Sequence, residues 1–212
     1  MNYKNIGFRA LDNAFCCFEN TGIFDQIIQE HLLGSDSATH ILTYGYIDRM
    51  TGLSIEILAC VQKLEEGKYR FFPPNELIRT YARIAAVENI EFEVLKETPR
   101  LRELYAEKLK VLDAYQVSDD IEAIRQMEFL DSCRDKYNID DILVHISKPG
   151  FQTEGCWVRV NELLPHSFKG EMLNEPYQDL GIHIGDEIEF VARRLQDGQI
   201  ICTNDAPGGQ MA

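Results

Sequence analysis

The stretch "HILTYGYIDRMTGLSIEILACVQKL" (40–64) limits the fold more than any other part of the chain. Two runs rich in β-formers are separated by "DRMTG", the pattern of a β-hairpin. Ile41, Thr43, Gly45 and Ile47 alternate with Leu42, Tyr44 and Tyr46, so both faces of the first run carry apolar groups. "KYRFF" (68–72) follows a Glu-Glu-Gly turn and is expected as a third strand, paired up-and-down with the hairpin.

Helices are expected around these strands. Phe8, Leu11, Phe15 and Phe18 have helical spacing over 8–18, and Phe24, Ile27, Ile28 and Leu32 give an apolar face over 22–33, with Gly34 as the stop. After Pro73 and Pro74, Asn75 can cap a helix over 76–88 with Leu77, Ile78, Tyr81 and Ala85 inward. Thr98-Pro99 pairs a cap with proline at the first helical position, followed by a stripe of Leu101, Leu104, Tyr105, Leu109 and Leu112. Asp119 with Glu122 opens a further helix, along which Ile121, Ile124, Met127, Leu130, Cys133 and Tyr137 recur every three or four residues.

After Asn138 the texture changes. "DILVHIS", "CWVRVNELL", "SFKGEML", "DEIEFVARRL" and "QIICTN" are short β-like runs separated by turn formers. The expectation is an α+β protein. Residues 1–138 form a helix-rich region with a small antiparallel sheet, and residues 139–212 form a β-rich domain, either a sheet or a part-open barrel.

Charge narrows the partners. The chain has 212 residues and a formal net charge of −14, with no basic stripe of the kind that supplies affinity for phosphates. Nucleic acid and anionic membrane surfaces are disfavoured, and a basic protein is the partner such a surface attracts. No stretch approaches a membrane span, and the start lacks the pattern of a secretory signal, so a cytoplasmic setting is expected. Cys16, Cys17, Cys60, Cys133, Cys156 and Cys202 include no C-x-x-C, and His31, His40, His145, His166 and His183 include no i, i+4 pair. No metal and no cofactor are therefore expected, and the cysteines read as reduced, buried thiols.

No nucleophile elbow, Walker loop or dinucleotide fingerprint occurs, so no catalytic residue can be named. The notable stretch is "EMLNEPYQDLGIHIGDEIE" (171–189). It holds six carboxylates, Glu171, Glu175, Asp179, Asp186, Glu187 and Glu189, and no Lys or Arg. Segment 139–212 carries twelve acidic and five basic residues, about twice the charge density of the rest. Glu187 and Glu189 share a strand face opposite Ile188 and Phe190. Pro176 ends a strand, Gly185-Asp186 suits a tight turn, and the single tryptophan, Trp157, is expected in the core.

"EGCWVRVNELLPHSFKGEMLNEPYQDLGIHIGDEIEF" (154–190) resembles the bacterial YegJ-like domains of unknown function and related immunity-protein-like domains. The matching positions are Trp157, Val158, Val160, Gly170, Leu173, Asn174, Pro176, Gly185, Asp186, Ile188 and Phe190. The resemblance implies a small α+β domain, some of whose relatives neutralise toxins of competing bacteria. The expected function is a non-enzymatic protein binder, immunity-like, that uses the six carboxylates against a basic partner. The alternatives are an enzyme or small-ligand binder with a pocket between the two regions, and a structural subunit of an assembly.

Overall fold

The computed structural model describes residues 1–25, 33–65, 68–73, 79–96 and 98–205. The chain divides into two compact units, Met1–Gln116 and Val117–Ala212. The division falls before the helix Asp119–Arg125, while the change of texture at 138 marks the approach to the first strand of the second unit.

The first unit is built on a sheet. Its strands are β1 (Phe15–Glu19), β2 (His40–Asp48), β3 (Gly52–Lys63), β4 (Tyr69–Phe71), β5 (Thr80–Arg83) and β6 (Phe92–Val94). The order is β4-β3-β2-β1-β6, with β5 also on β3, and every pair is antiparallel. The expected hairpin is β2 and β3. Its turn is set by Asp48, whose carboxylate accepts from the Met50 N–H at 2.9 Å and from the Thr51 hydroxyl. The register shifts between Leu42 and Thr43, leaving Leu58 as the extra residue of a β-bulge.

β2 is buried along almost its whole length, as is β3. Tyr105 and Leu112, with Leu101, Leu109 and Tyr115, cover the face that carries Phe15, Cys17, Leu42, Tyr44 and Tyr46. These covering residues come from the short helices Pro99–Leu104 and Ala106–Lys110, from Tyr105 between them and from the 3-10 turn Val111–Tyr115. Leu104, expected in the inward stripe, is exposed. On the other face Gly45 meets the chain before β1. A Cβ at Gly45 would lie 1.9 Å from the Leu11 carbonyl oxygen, so no larger residue fits this crossing.

The expected helix-rich N-terminal region is therefore corrected. The chain is mostly β. Residues 8–18 form a 3-10 turn, Phe8–Ala10, followed by β1. The helical spacing of Phe8, Leu11, Phe15 and Phe18 is coincidental. β1 lies between β2 and β6 with Phe15 through Phe18 all buried, and a strand buried on both faces shows no period of two. Where a helix over 76–88 was expected, β5 and a single turn of helix, Ile84–Val87, occupy 80–87, and 74–78 lie outside the described residues. Most of the expected helix over 22–33 also lies outside them.

The second unit is a closed barrel of β7 (Asp141–Ile146), β8 (Glu154–Leu163), β9 (Phe168–Met172), β10 (Glu187–Arg194) and β11 (Ile200–Thr203). Successive strands pair antiparallel, and β11 returns to β7. Five strands is an odd number, so four reversals leave β11 running in the direction of β7. The closing pair is parallel, Cys202 beside Val144 and Thr203 beside His145. This closed barrel replaces the expected sheet or part-open barrel.

Ile142, Val144, Cys156, Val158, Val160, Phe168, Met172, Ile188, Phe190 and Cys202 fill the interior. Gly170 sits among the inward positions of β9, where a Cβ would come within 2.5 Å of the Arg159 carbonyl oxygen. Ile121 and Ile124 of the helix Asp119–Arg125 pack on this core, as do Leu130 and Cys133 of the 3-10 turn Glu128–Cys133. The single long helix expected through Tyr137 is thus a short helix and a 3-10 turn.

Arg125 locks that helix to the start of the barrel. Its guanidinium makes two hydrogen bonds to the Asp140 carboxylate, at 2.9 and 2.8 Å, and the two side chains are 4% and 1% exposed. Removing Asp140 deprives the buried guanidinium of its two short hydrogen bonds and leaves the longer pairing with the half-exposed Glu122 carboxylate, 3.6 Å away. Asp140→Ala is expected to cost about 3–5 kcal/mol, and replacing both residues with apolar ones of similar size to recover most of it. Urea denaturation of the two variants checks both expectations.

Candidate functional site

The connection between β9 and β10, residues 173–186, is too long for a hairpin turn and joins the strand backbones near its ends. There the Leu173 N–H donates to the Trp157 carbonyl at 2.8 Å, and the Gly185 N–H to the Met172 carbonyl at 2.8 Å. Between these points the backbone N–H groups need other acceptors, because an N–H left without one costs free energy. Side chains supply them. The Glu154 carboxylate accepts from the Tyr177 N–H at 2.7 Å and the Gln178 N–H at 2.9 Å. Glu175 accepts from the Ile184 N–H at 3.0 Å, Asp179 from the Gly181 N–H at 3.2 Å, and Asp186 from the His183 N–H at 2.8 Å. Asn174 works in the opposite direction, since its Oδ1 accepts from the Trp157 N–H of β8 at 2.7 Å.

A second loop braces the first. The Gln178 side chain donates to the Gln152 carbonyl at 3.0 Å and accepts from the Gln152 N–H at 3.2 Å. Lys148 Nζ donates to the Asp179 carbonyl at 3.2 Å. Pro176 and Leu180 are buried, and Leu180 belongs to the barrel core. Gly181 and Gly185 take φ values of 72° and 87°, the left-handed region that glycine adopts without strain.

On this braced frame two apolar side chains stand in water. Tyr177 is 102% exposed and Ile184 60% exposed. Phe151 of the second loop is also exposed, with Lys148 Nζ 5.0 Å from its ring centroid.

The six expected carboxylates divide by role. Glu175, Asp179 and Asp186 hold the loop. On the strands, Glu187 pairs with Lys169 at 2.7 Å, Glu189 accepts from the Ser167 hydroxyl at 2.5 Å, and Glu171 lies beside Glu187 and Arg159 in the ladders. Glu187 and Glu189 do share the outward face, with Ile188 and Phe190 inward. Gly170, Asn174, Pro176, Gly185 and Asp186 of the resemblance all have architectural duties. Trp157 differs from expectation: it is half-buried on the outer face of β8, because Cys156, Val158 and Val160 take the inward positions. Glu154, Gln178, Tyr177 and Ile184 had no sequence signal that marked them together, since Glu154 stands 23 residues before the N–H it holds.

His183 Nδ1 lies 2.7 Å from Glu175 Oε1. The hydrogen bond and charge of Glu175 raise the imidazole pKa above its usual value, while the His183 contact and then the Ile184 N–H lower that of the carboxyl. A raised histidine contributes fully below its unfolded pKa and loses the contribution as pH rises through the folded one. A lowered carboxylate contributes above its unfolded pKa and loses the contribution as pH falls through its folded one. The contact therefore supports the loop between the two folded values. NMR titration is expected to find the His183 imidazole raised above its ordinary value, and Glu175→Gln to lower it, with Asp186 and Asp179 still holding it up.

Elsewhere, Glu56 is fully buried in the first unit, and burial pushes its carboxyl pKa up. Its Oε2 accepts from Arg79 Nε at 3.1 Å, and the Arg79 guanidinium lies 5.9 and 5.6 Å from the Tyr46 and Tyr115 rings. Among the described residues, no group of three or more His, Cys, Asp or Glu side chains is placed to hold a metal ion. Nor is any helix among them long and apolar enough to cross a membrane.

No family model, curated protein or solved structure matches the chain.

Proposed function

We propose that the second unit is a protein-binding module and that the loop 173–186, with its neighbour 148–154, is its contact surface. The observation that carries this reading is Tyr177. Its side chain is wholly in solvent, while the backbone on either side is fixed by the Glu154 carboxylate. A rigid, exposed aromatic is suited to act as an anchor at an interface, because little side-chain or loop entropy is lost when a partner closes over it. Ile184 and Phe151 are further exposed apolar side chains of the two loops, and Glu175, Asp179 and Asp186 add negative charge to the first. The partner fitted by this surface is a basic protein with an apolar pocket.

The YegJ-like and immunity-like resemblance of 154–190 supports a neutralising role against a toxin. A neutraliser needs only a complementary surface, with specificity and on-rate supplied by charge. Such a protein would work in the cytoplasm, without a cofactor.

The test is capture from lysates of the source organism and of neighbouring strains at low salt, followed by elution with salt and binding measurements on what elutes. The expected result is a basic protein whose affinity falls about 30-fold with Tyr177→Ala, the size of an anchor residue's contribution. The reading fails if no basic protein elutes with salt, or if the affinity of the captured protein is unchanged in Tyr177→Ala.

A further inference from the structure

The barrel closes through only part of β10. Val191 to Arg194 lie against β11, whereas Glu187 to Phe190 lie against β9 alone. In an antiparallel ladder a residue turns its N–H and C=O to the same side, and successive residues turn to opposite sides. The Asp186 carbonyl accepts from the Met172 N–H of β9 at 2.9 Å, and the Leu195 N–H donates to the Gln199 carbonyl at 2.8 Å in the turn to β11. Even-numbered residues of β10 therefore bond toward β9 and odd-numbered ones toward β11. Glu187 and Glu189 turn their N–H and C=O groups to the side on which β11 has already ended. Among the described residues these four groups have no partner.

The chain after β11 moves away from this edge. The Asn204 N–H donates to the His145 carbonyl at 3.4 Å, and its side chain accepts from the Ser147 N–H at 2.8 Å and donates to the Ser147 carbonyl at 3.2 Å. The Asp205 carbonyl accepts from the Arg193 guanidinium at 2.6 Å, at the level of the part of β10 that is already paired. A groove of about 420 Å³ lies beside the open edge, lined by Gly181, Ile182 and Asn204 together with Asp186, Glu187 and Glu189. Gly181 and Ile182 belong to the loop that carries Tyr177.

We infer that the Glu187–Glu189 edge of β10 receives an extended, lysine- or arginine-bearing segment of the partner, which adds to the barrel as an antiparallel strand. The inference rests on the reading of the second unit as a binder of a basic protein, and it names the part of the partner that docks. Backbone bonds to Glu187 and Glu189 supply affinity without regard to sequence, and the side chains of the added strand supply specificity. Residues opposite one another in a ladder project to the same face, so those bonded to Glu187 and Glu189 set their side chains beside the two outward carboxylates. Opposite charges stabilise such a pair and like charges destabilise it. A second copy of β10 would bring its own glutamates to these positions, which disfavours self-pairing.

The experiment follows amide hydrogen exchange at Glu187 and Glu189 by NMR in the full chain, alone and with a short synthetic peptide that alternates lysine and threonine. In the free protein both amides should exchange within about tenfold of an unstructured chain, at every protein concentration, as unpaired edge groups do. The peptide should slow both at least about tenfold by giving each an acceptor. N-methylation of the peptide lysines keeps their charge and removes the N–H groups that face β10, so binding should weaken about tenfold. Amides already protected in the free protein would mean that the chain itself or a second copy fills the edge. Equal binding of the two peptides would mean attraction by charge alone, and no protection at millimolar peptide would mean that the edge takes no strand. Each of these results overturns the inference. None of them alters the capture of a partner through Tyr177, so the two readings fail separately.

Discussion

Carboxylates acting as acceptors for loop N–H groups are the interaction on which the exposed surface of the barrel depends. Inside the barrel each strand satisfies its neighbour. At 173–186 there is no neighbouring strand, and Glu154, Glu175, Asp179 and Asp186 take over that work. A hydrogen bond to an ionised acceptor is roughly twice as strong as a neutral one, so a few such contacts fix a segment that would otherwise move. The cost is a concentration of negative charge, which Lys148, Lys169, His183 and Arg159 partly offset.

This explains why the acidic composition was legible and its cause was not. The run of six carboxylates is plain in the sequence. That three of them are held by their own loop appears only once Gly181 and Gly185 turn the backbone toward them. Glu154 was invisible because nothing local connects it to Tyr177. Gly170 illustrates the opposite case: its place in a quoted motif acquires a physical reason in the close approach of the Arg159 carbonyl.

The fold shows the same division. The hairpin β2–β3 and all the C-terminal strands were legible, because long β-forming runs and turn residues bound them. The helix expected over 8–18 was misread because β1 is buried on both faces and shows no alternation, so its phenylalanines happened to fit a helical period. The parallel closure of the barrel follows from counting strands, but only after their order is known. The helix Asp119–Arg125 joins the barrel through Arg125 and Asp140, a pairing that the expected boundary at 138 had split.

The central claim is that the loop holds its shape before any partner arrives. Amide hydrogen exchange measures this directly at Tyr177, Gln178, His183 and Ile184, whose N–H groups lie at the surface and are bonded only to carboxylates. The account predicts that these four amides exchange markedly more slowly than an unstructured chain of the same sequence, and that Glu154→Gln speeds up the first two. Exchange at the unstructured rate at all four positions would contradict it, since Tyr177 would then sit on a segment with no fixed shape to present.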